Sequence, residues 1–217
     1  MKRIKDGYLD TITSHITLQE KTVLEIGCGE GRCTIQLAQA GAYVTGIDPD
    51  AEAINRAQEH YSQFSNARFR MGKADDLPFP KNSFDVVLFT LSFHHIAPQK
   101  MFRAIDESIR VTKPYGYVIF LEPAFIGSFF EAEILFDACD GDERREKKIA
   151  YATMLSHPFL EEIWECSDET LFAFDSVADF ETFMKPKRNH LDLEKFFTDH
   201  NFVLSAQRRI NIFKPRK

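Results

Sequence analysis

No stretch of this chain stays apolar for long. Its hydrophobic runs, such as Val86–Leu91, fall far short of the roughly 20 residues a membrane helix needs, so no membrane partner is expected. The opening residues, MKRIKDGYLDTITSH, carry charges but no apolar core of signal-peptide length, which predicts a cytoplasmic protein. Cysteine is sparse, and the four present, Cys28, Cys33, Cys139 and Cys166, include no C-x-x-C pair. That excludes a zinc signature or a disulfide framework and predicts reduced thiols. Positive charge is short too: 27 Lys and Arg stand against 33 Asp and Glu, a net charge of −6. Such a balance suits nucleic acid poorly, because that affinity comes from neutralising phosphates. The basic C-terminus (Arg208, Arg209, Lys214, Arg216, Lys217) is the exception, read as a solvated tail. Internal repeats and low-complexity tracts are absent.

What is present is an alternation of strands and helices over 217 residues, 44% of them apolar. Thr22–Ile26 (TVLEI) predicts a buried strand ending at a glycine cluster, and Arg32–Ala40 a helix stopped by Gly41. Tyr43–Ile47 follows as a strand, and Asp50 as the N-cap of the next helix, with Ala53, Ile54 and Ala57 on one face. Ala67–Met71, the nearly continuous apolar Phe84–Thr90 and Tyr117–Leu121 predict three more strands, with a helix over Gln99–Thr112. This order predicts an α/β fold: a doubly wound, mostly parallel central sheet with helices on both faces. Ligand loops are expected after Ile26, Ile47, Met71, Thr90 and Leu121, at the carboxyl ends of the strands.

Beyond Glu122 the alternation breaks. Phe125–Ala138 and Asp142–Leu155 predict helices, Glu169–Asp175 a strand, Asp192–His200 a helix and Phe202–Phe213 a last strand. Residues 124–185 are therefore expected to form a helical cap insertion after the fifth strand, without a core of its own. The whole of 1–217 is read as a single domain, with its core about 20–122 and 186–217.

The chemistry concentrates in Glu25-Ile26-Gly27-Cys28-Gly29-Glu30-Gly31, where glycines permit a sharp turn and close approach of backbone to a ligand. About 20 residues on, Asp48 ends the second strand, where a carboxylate accepts ribose hydroxyls. Asp48 can also be read as a helix N-cap ahead of Pro49. A dinucleotide is disfavoured. Arg32 stands where G-x-G-x-x-G needs its third glycine, and Glu25 and Glu30 would repel a pyrophosphate.

In order and spacing, VLEIGCGEGR, GIDPD, GKADDLPFP, FDVVLFTLSFHHI and VTKPYGYVIFLEP resemble the successive motifs of class I (Rossmann-like) S-adenosylmethionine-dependent methyltransferases of the broad small-molecule group. The resemblance covers about residues 20–122. It implies S-adenosyl-L-methionine as cofactor and S-adenosyl-L-homocysteine as product. It also implies that Gly27, Cys28 and Gly29 line the methionine portion, that Glu25 orients the loop and meets the amino group, and that Asp48 with Pro49 holds the ribose. Ala74 and Asp75 would meet the adenine edge and Thr90 would offer its carbonyl. Lys73 departs from the Asp frequent in the family, which leaves Asp75 to substitute; a solvated Asp75 is the other reading.

Methyl transfer from a sulfonium is an in-line displacement, so positioning comes first, then proton removal from a poor nucleophile. It needs no metal, and none is expected. His94 and His95 follow the fourth predicted strand and are candidate bases, or alternatively a hydrogen-bonded helix entry. The cap is dense in aromatics: Phe125, Phe129, Phe130, Phe136, Tyr151, Phe159, Trp164, Phe172 and Phe174. Most should pack it onto the domain, and a few, with Tyr8 as a second wall, should line an apolar acceptor pocket. A small-molecule acceptor is therefore expected. A macromolecular acceptor ranks second, since Thr90-Leu91-Ser92-Phe93 replaces an N-P-P-Y/F loop. A non-catalytic cofactor-binding partner ranks third and would show no turnover.

Overall fold

The structure is a computed structural model that describes residues 1–188 and 192–216. Its strands are β1 (Lys2–Asp6), β2 (Thr22–Ile26), β3 (Tyr43–Asp48), β4 (Ala67–Met71), β5 (Phe84–Thr90), β6 (Thr112–Pro123), β7 (Leu160–Ala173) and β8 (Val203–Pro215). Between them run α1 (Tyr8–Thr13), α2 (Arg32–Gln39), α3 (Ala51–His60), α4 (Pro98–Val111), α5 (Ser128–Phe136), α6 (Arg144–Ser156), α7 (Val177–Met184) and α8 (Leu193–Asp199). The strands form one sheet in the order β1-β7-β8-β6-β5-β2-β3-β4. Neighbours from β6 through β4 are parallel, whereas β8, β7 and β1 add an antiparallel edge. The expected doubly wound, mostly parallel sheet is thus present.

Strand alternation divides the core between the two faces. Leu24, Ile26, Val87, Phe89, Val118 and Phe120 face Met101, Ala104 and Ile105 of α4 and Ala150 and Met154 of α6. Val23, Val44, Val86, Leu88, Ile119 and Leu121 face Tyr8 and Ile12 of α1 and Leu37 and Ala38 of α2. The Phe89 and Phe120 rings stack with centroids 4.9 Å apart. Such double-sided burial explains why β5 is apolar almost throughout.

The region after β6 is helical in α5, α6 and α7, but it also carries a strand longer than the expected Glu169–Asp175. β7 begins at Leu160 and pairs with β8 from Leu160↔Pro215 to Ala173↔Val203. The exposed Glu161, Glu162 and Glu165 mask the apolar alternation that would have revealed it. A separate aromatic cluster joins this region to α8 and β8, with Phe136, Phe174 and Phe180 packed against Phe197 and Leu204.

The basic C-terminal residues do not form a solvated tail. They lie largely on β8, which is held between β6 and β7. Arg208 is 3% exposed and forms ion pairs with Asp168 and, at 2.7 Å, with Asp6 of β1. Arg209 lies 3.8 Å above the Tyr151 ring centroid. Lys217 falls outside the described residues.

Candidate functional site

The winding direction of the sheet reverses between β2 and β5, because β3 and β4 lie to one side and β6 to the other. A crevice is expected at the carboxyl ends of such a pair. There the turns after both strands meet, with the Ser92 hydroxyl donating to the Ile26 carbonyl at 2.6 Å. Gly27 adopts φ 77°, and a Cβ on it would lie 2.2 Å from the Ser92 Cβ, so both backbone conformation and contact demand glycine. Gly29, also in left-handed backbone, faces open space.

The glycine turn hangs from the end of β3. The Gly27 and Cys28 N–H groups donate to the Ile47 carbonyl at 2.8 and 3.0 Å, and Gly29 N–H donates to Asp48 Oδ2 at 2.9 Å. Asp48 Oδ1 accepts the Asp50 N–H at 2.9 Å. The α3 cap is Asp50, whose carboxylate accepts from Glu52 and Ala53. Asp48 is therefore not the helix cap.

These turns enclose a cavity of about 520 Å³. Gly27, Gly29, Asp48, Pro49, Ala74 and Asp75 border it on one side, with Gly72 and Lys73 between them; Leu91, Ser92 and His95–Ala97 close the other, beside Lys100. Thus six of the nine expected cofactor residues come together. Glu25, Cys28 and Thr90 do not border it. Alternation along β2 sends Ile26 to the cavity and Glu25 beneath the loop, where its carboxylate accepts the hydroxyls of Thr34 and, at 2.6 Å, Thr90. Burial raises the Glu25 pKa to about 7 even though both hydroxyls favour the ionised form. Cys28 packs instead with Ile35, Ile54, Ala57 and Phe69, and burial pushes its thiol upward. Asp75 is held below the usual carboxylate range mainly by Lys100, whose Nζ lies 2.7 Å away.

The two histidines separate. His95 borders the cavity with about half its side chain exposed, whereas His94 is buried and does not border it. Glu122, at the end of β6, accepts the N–H groups of Ser92, Phe93 and His94 at 3.1, 2.9 and 3.3 Å and also bonds His94 Nδ1. Glu143, at the start of α6, sits 3.6 Å from His94 Nε2 and 3.4 Å from His95 Nδ1. Burial would lower the His94 pKa, but Glu122 and Glu143 raise it; burial and then His94 lower that of His95.

Ser92, Lys100, Glu122 and Glu143 are not singled out by sequence. Glu122 alone has a signal, since it follows Leu121 at the ligand end of a predicted strand. Tyr8 is not a wall: it is fully buried and its hydroxyl donates to Gln36 at 2.8 Å. Trp164 lies on His15, which borders a different cavity with Pro114–Tyr117 at the opposite end of the parallel strands. Phe129, Phe130 and Phe172 do line a smaller cavity of about 100 Å³, with Lys147 and with Thr170, whose buried hydroxyl has no hydrogen-bond partner among the described residues. Leu91, strained at φ 53°, borders both cavities.

Residues 23–116 match the methyltransferase domain family. The chain is 38% identical over 94 residues to an uncharacterized methyltransferase of Synechocystis sp., covering 43% of each protein. It is 34% identical over 100 residues to a demethylmenaquinone methyltransferase of Tropheryma whipplei, covering 46% of this chain and 41% of that one. To a fatty-acid O-methyltransferase of Mycolicibacterium smegmatis it is 35% identical over 107 residues, 48% of this chain and 38% of the other. The matches thus span less than half the length of these three relatives. Among solved structures, a putative methyltransferase from Bacillus halodurans superposes with a TM-score of 0.66 at 15% identity, covering 97% of this chain and 98% of that one. Residues 23–116 thus match a methyltransferase domain, and the chain shares its fold with that putative methyltransferase.

Proposed function

We propose that the protein transfers the methyl group of S-adenosyl-L-methionine to a small-molecule acceptor by in-line displacement, acting in the cytoplasm as one unit from residue 1 to 217. The observation that carries this reading is the cavity at the β2–β5 switch point, bordered by the glycine turn, Asp48 and Ala74–Asp75. In this reading Asp48, which borders the cavity and accepts the Gly29 N–H, exchanges that bond for the ribose hydroxyls, and Gly72–Asp75 meet the adenine. Glu25 acts from beneath the turn, where a carboxylate favours a cationic ligand and disfavours a pyrophosphate.

His95 is the residue that faces the acceptor, and His94, fixed by Glu122, positions it. The smaller cavity with Phe129, Phe130 and Phe172 suits an apolar acceptor body. The substrates in the names of two relatives, demethylmenaquinone and a fatty acid, favour the same class.

Calorimetry with S-adenosylhomocysteine and NAD, followed by mass spectrometry of acceptor panels of quinols, phenols and fatty acids, tests the reading. Binding of the first ligand but not the second, with methylated product from one panel, is expected. Binding without turnover across all panels would favour a non-catalytic partner, and NAD binding alone would overturn the reading.

A further inference from the structure

We propose that His94, His95 and Glu143 bind a divalent first-row transition-metal ion such as Zn²⁺ at the edge of the cofactor cavity. One ligand atom from each of the three lies within 4.8 Å of the others. Bonds of 2.0–2.1 Å in a tetrahedral site put ligand atoms about 3.3 Å apart. Glu143 Oε2 stands 3.6 Å from His94 Nε2 and its Oε1 3.4 Å from His95 Nδ1, each near that edge length, and neither contact is a hydrogen bond.

The surroundings are those of a supported metal site. His94 Nδ1 is engaged by Glu122, which directs Nε2 toward Glu143, as a carboxylate behind a metal-bound imidazole does. Glu122 also grips the backbone of residues 92–94, so the ring is fixed before any ion arrives. Behind Glu143, the buried Lys147 ammonium lies 3.2 Å from its carboxylate. Glu122 and Glu143 thus outnumber this one fixed cation beside the histidines. Two imidazoles select a transition ion over Mg²⁺ or Ca²⁺.

Three protein ligands leave a coordination position open, as in catalytic sites, and His95 brings the ion to the cavity wall. An oxygen acceptor is the class this suits, which rests on the methyl-transfer reading. The bound hydroxyl loses its proton to water, its oxygen bonds the methyl carbon, and the carbon–sulfur bond breaks to leave S-adenosylhomocysteine. The ion's binding itself does not depend on that reading.

The test uses the full chain, stripped with chelator and titrated with Co²⁺ by visible absorption and with Zn²⁺ by calorimetry. One ion per chain is expected, with Co²⁺ bands of a four- or five-coordinate nitrogen and oxygen site. Glu143→Gln and His95→Ala should each weaken Zn²⁺ by more than about tenfold. S-adenosylhomocysteine binding to metal-free Glu143→Gln serves as the control for folding. Its loss in the parent chain would strike the methyltransferase reading alone. Metal binding unchanged in both folded variants, a thiolate charge-transfer band, or no bound ion would overturn the proposal, leaving a protonated His94 bridging two carboxylates.

Discussion

Glu25→Gln tests the balance of forces beneath the glycine turn. In the folded chain this carboxylate is 1% exposed and accepts two threonine hydroxyls, and its pKa rises from 4.5 to about 7. The folded state therefore holds a proton that the unfolded state has released between those pH values. Stability from this group is fully present below pH 4.5 and falls as pH rises through 7, by about 1.4 kcal/mol per unit. The total is about 3 kcal/mol at pH 8. Glutamine has nearly the same shape, can hydrogen-bond both hydroxyls and carries no charge to desolvate. The measurement is urea denaturation from pH 4 to 8 on both proteins, with the difference in unfolding free energy plotted against pH. The variant should gain relative to the parent through pH 4.5–7 and then level off. Subtraction isolates Glu25 from other carboxyls such as Glu133, which burial also raises to about 7. Parallel curves would refute the reasoning and show an ionised Glu25 paired strongly enough to offset its burial.

Three further outcomes are expected from the same geometry. Asp48→Ala should weaken S-adenosylhomocysteine binding by about 1.5–3 kcal/mol in calorimetry while the fold survives, because a charged acceptor at the cavity is lost. Gly27→Ala forces a Cβ to within 2.2 Å of the Ser92 Cβ, and should cost more than about 2 kcal/mol of stability by denaturation and abolish cofactor binding; a parent-like variant would contradict the turn geometry. Arg208→Met leaves the buried Asp168 without its cation, while Asp6 keeps Arg3 and Arg32, and should cost about 3–5 kcal/mol, seen as a lowered urea midpoint.

The elements readable from sequence are those whose signal is local. Thr22–Ile26, Ala67–Met71 and Phe84–Thr90 match β2, β4 and β5 at both ends, because turn residues punctuate them and, in β2 and β5, double burial makes the run apolar. β1 has the charged sequence KRIKD and is held by its pairing with β7 and by ion pairs such as Arg208 to Asp6. β7 likewise depends on β8, which lies on the far side of two helices in the chain. The site divides in the same way. Gly27, Gly29 and Asp48 belong to one short motif, whereas Glu122 and Glu143 meet the histidines only after β6 and α6 have been placed.

The pairing of β1 with β7 also imposes an order on assembly. Lys2 pairs in register with Ala173, so β1 has no partner until about 170 residues more have left the ribosome, roughly ten to thirty seconds of synthesis. Meanwhile the parallel strands β2 to β6 can collapse on α2, α3 and α4. Residues 2–6 stay unpaired until then, and their high charge disfavours joining another strand's edge. The sequence that hides β1 from prediction is thus the one that protects the nascent chain.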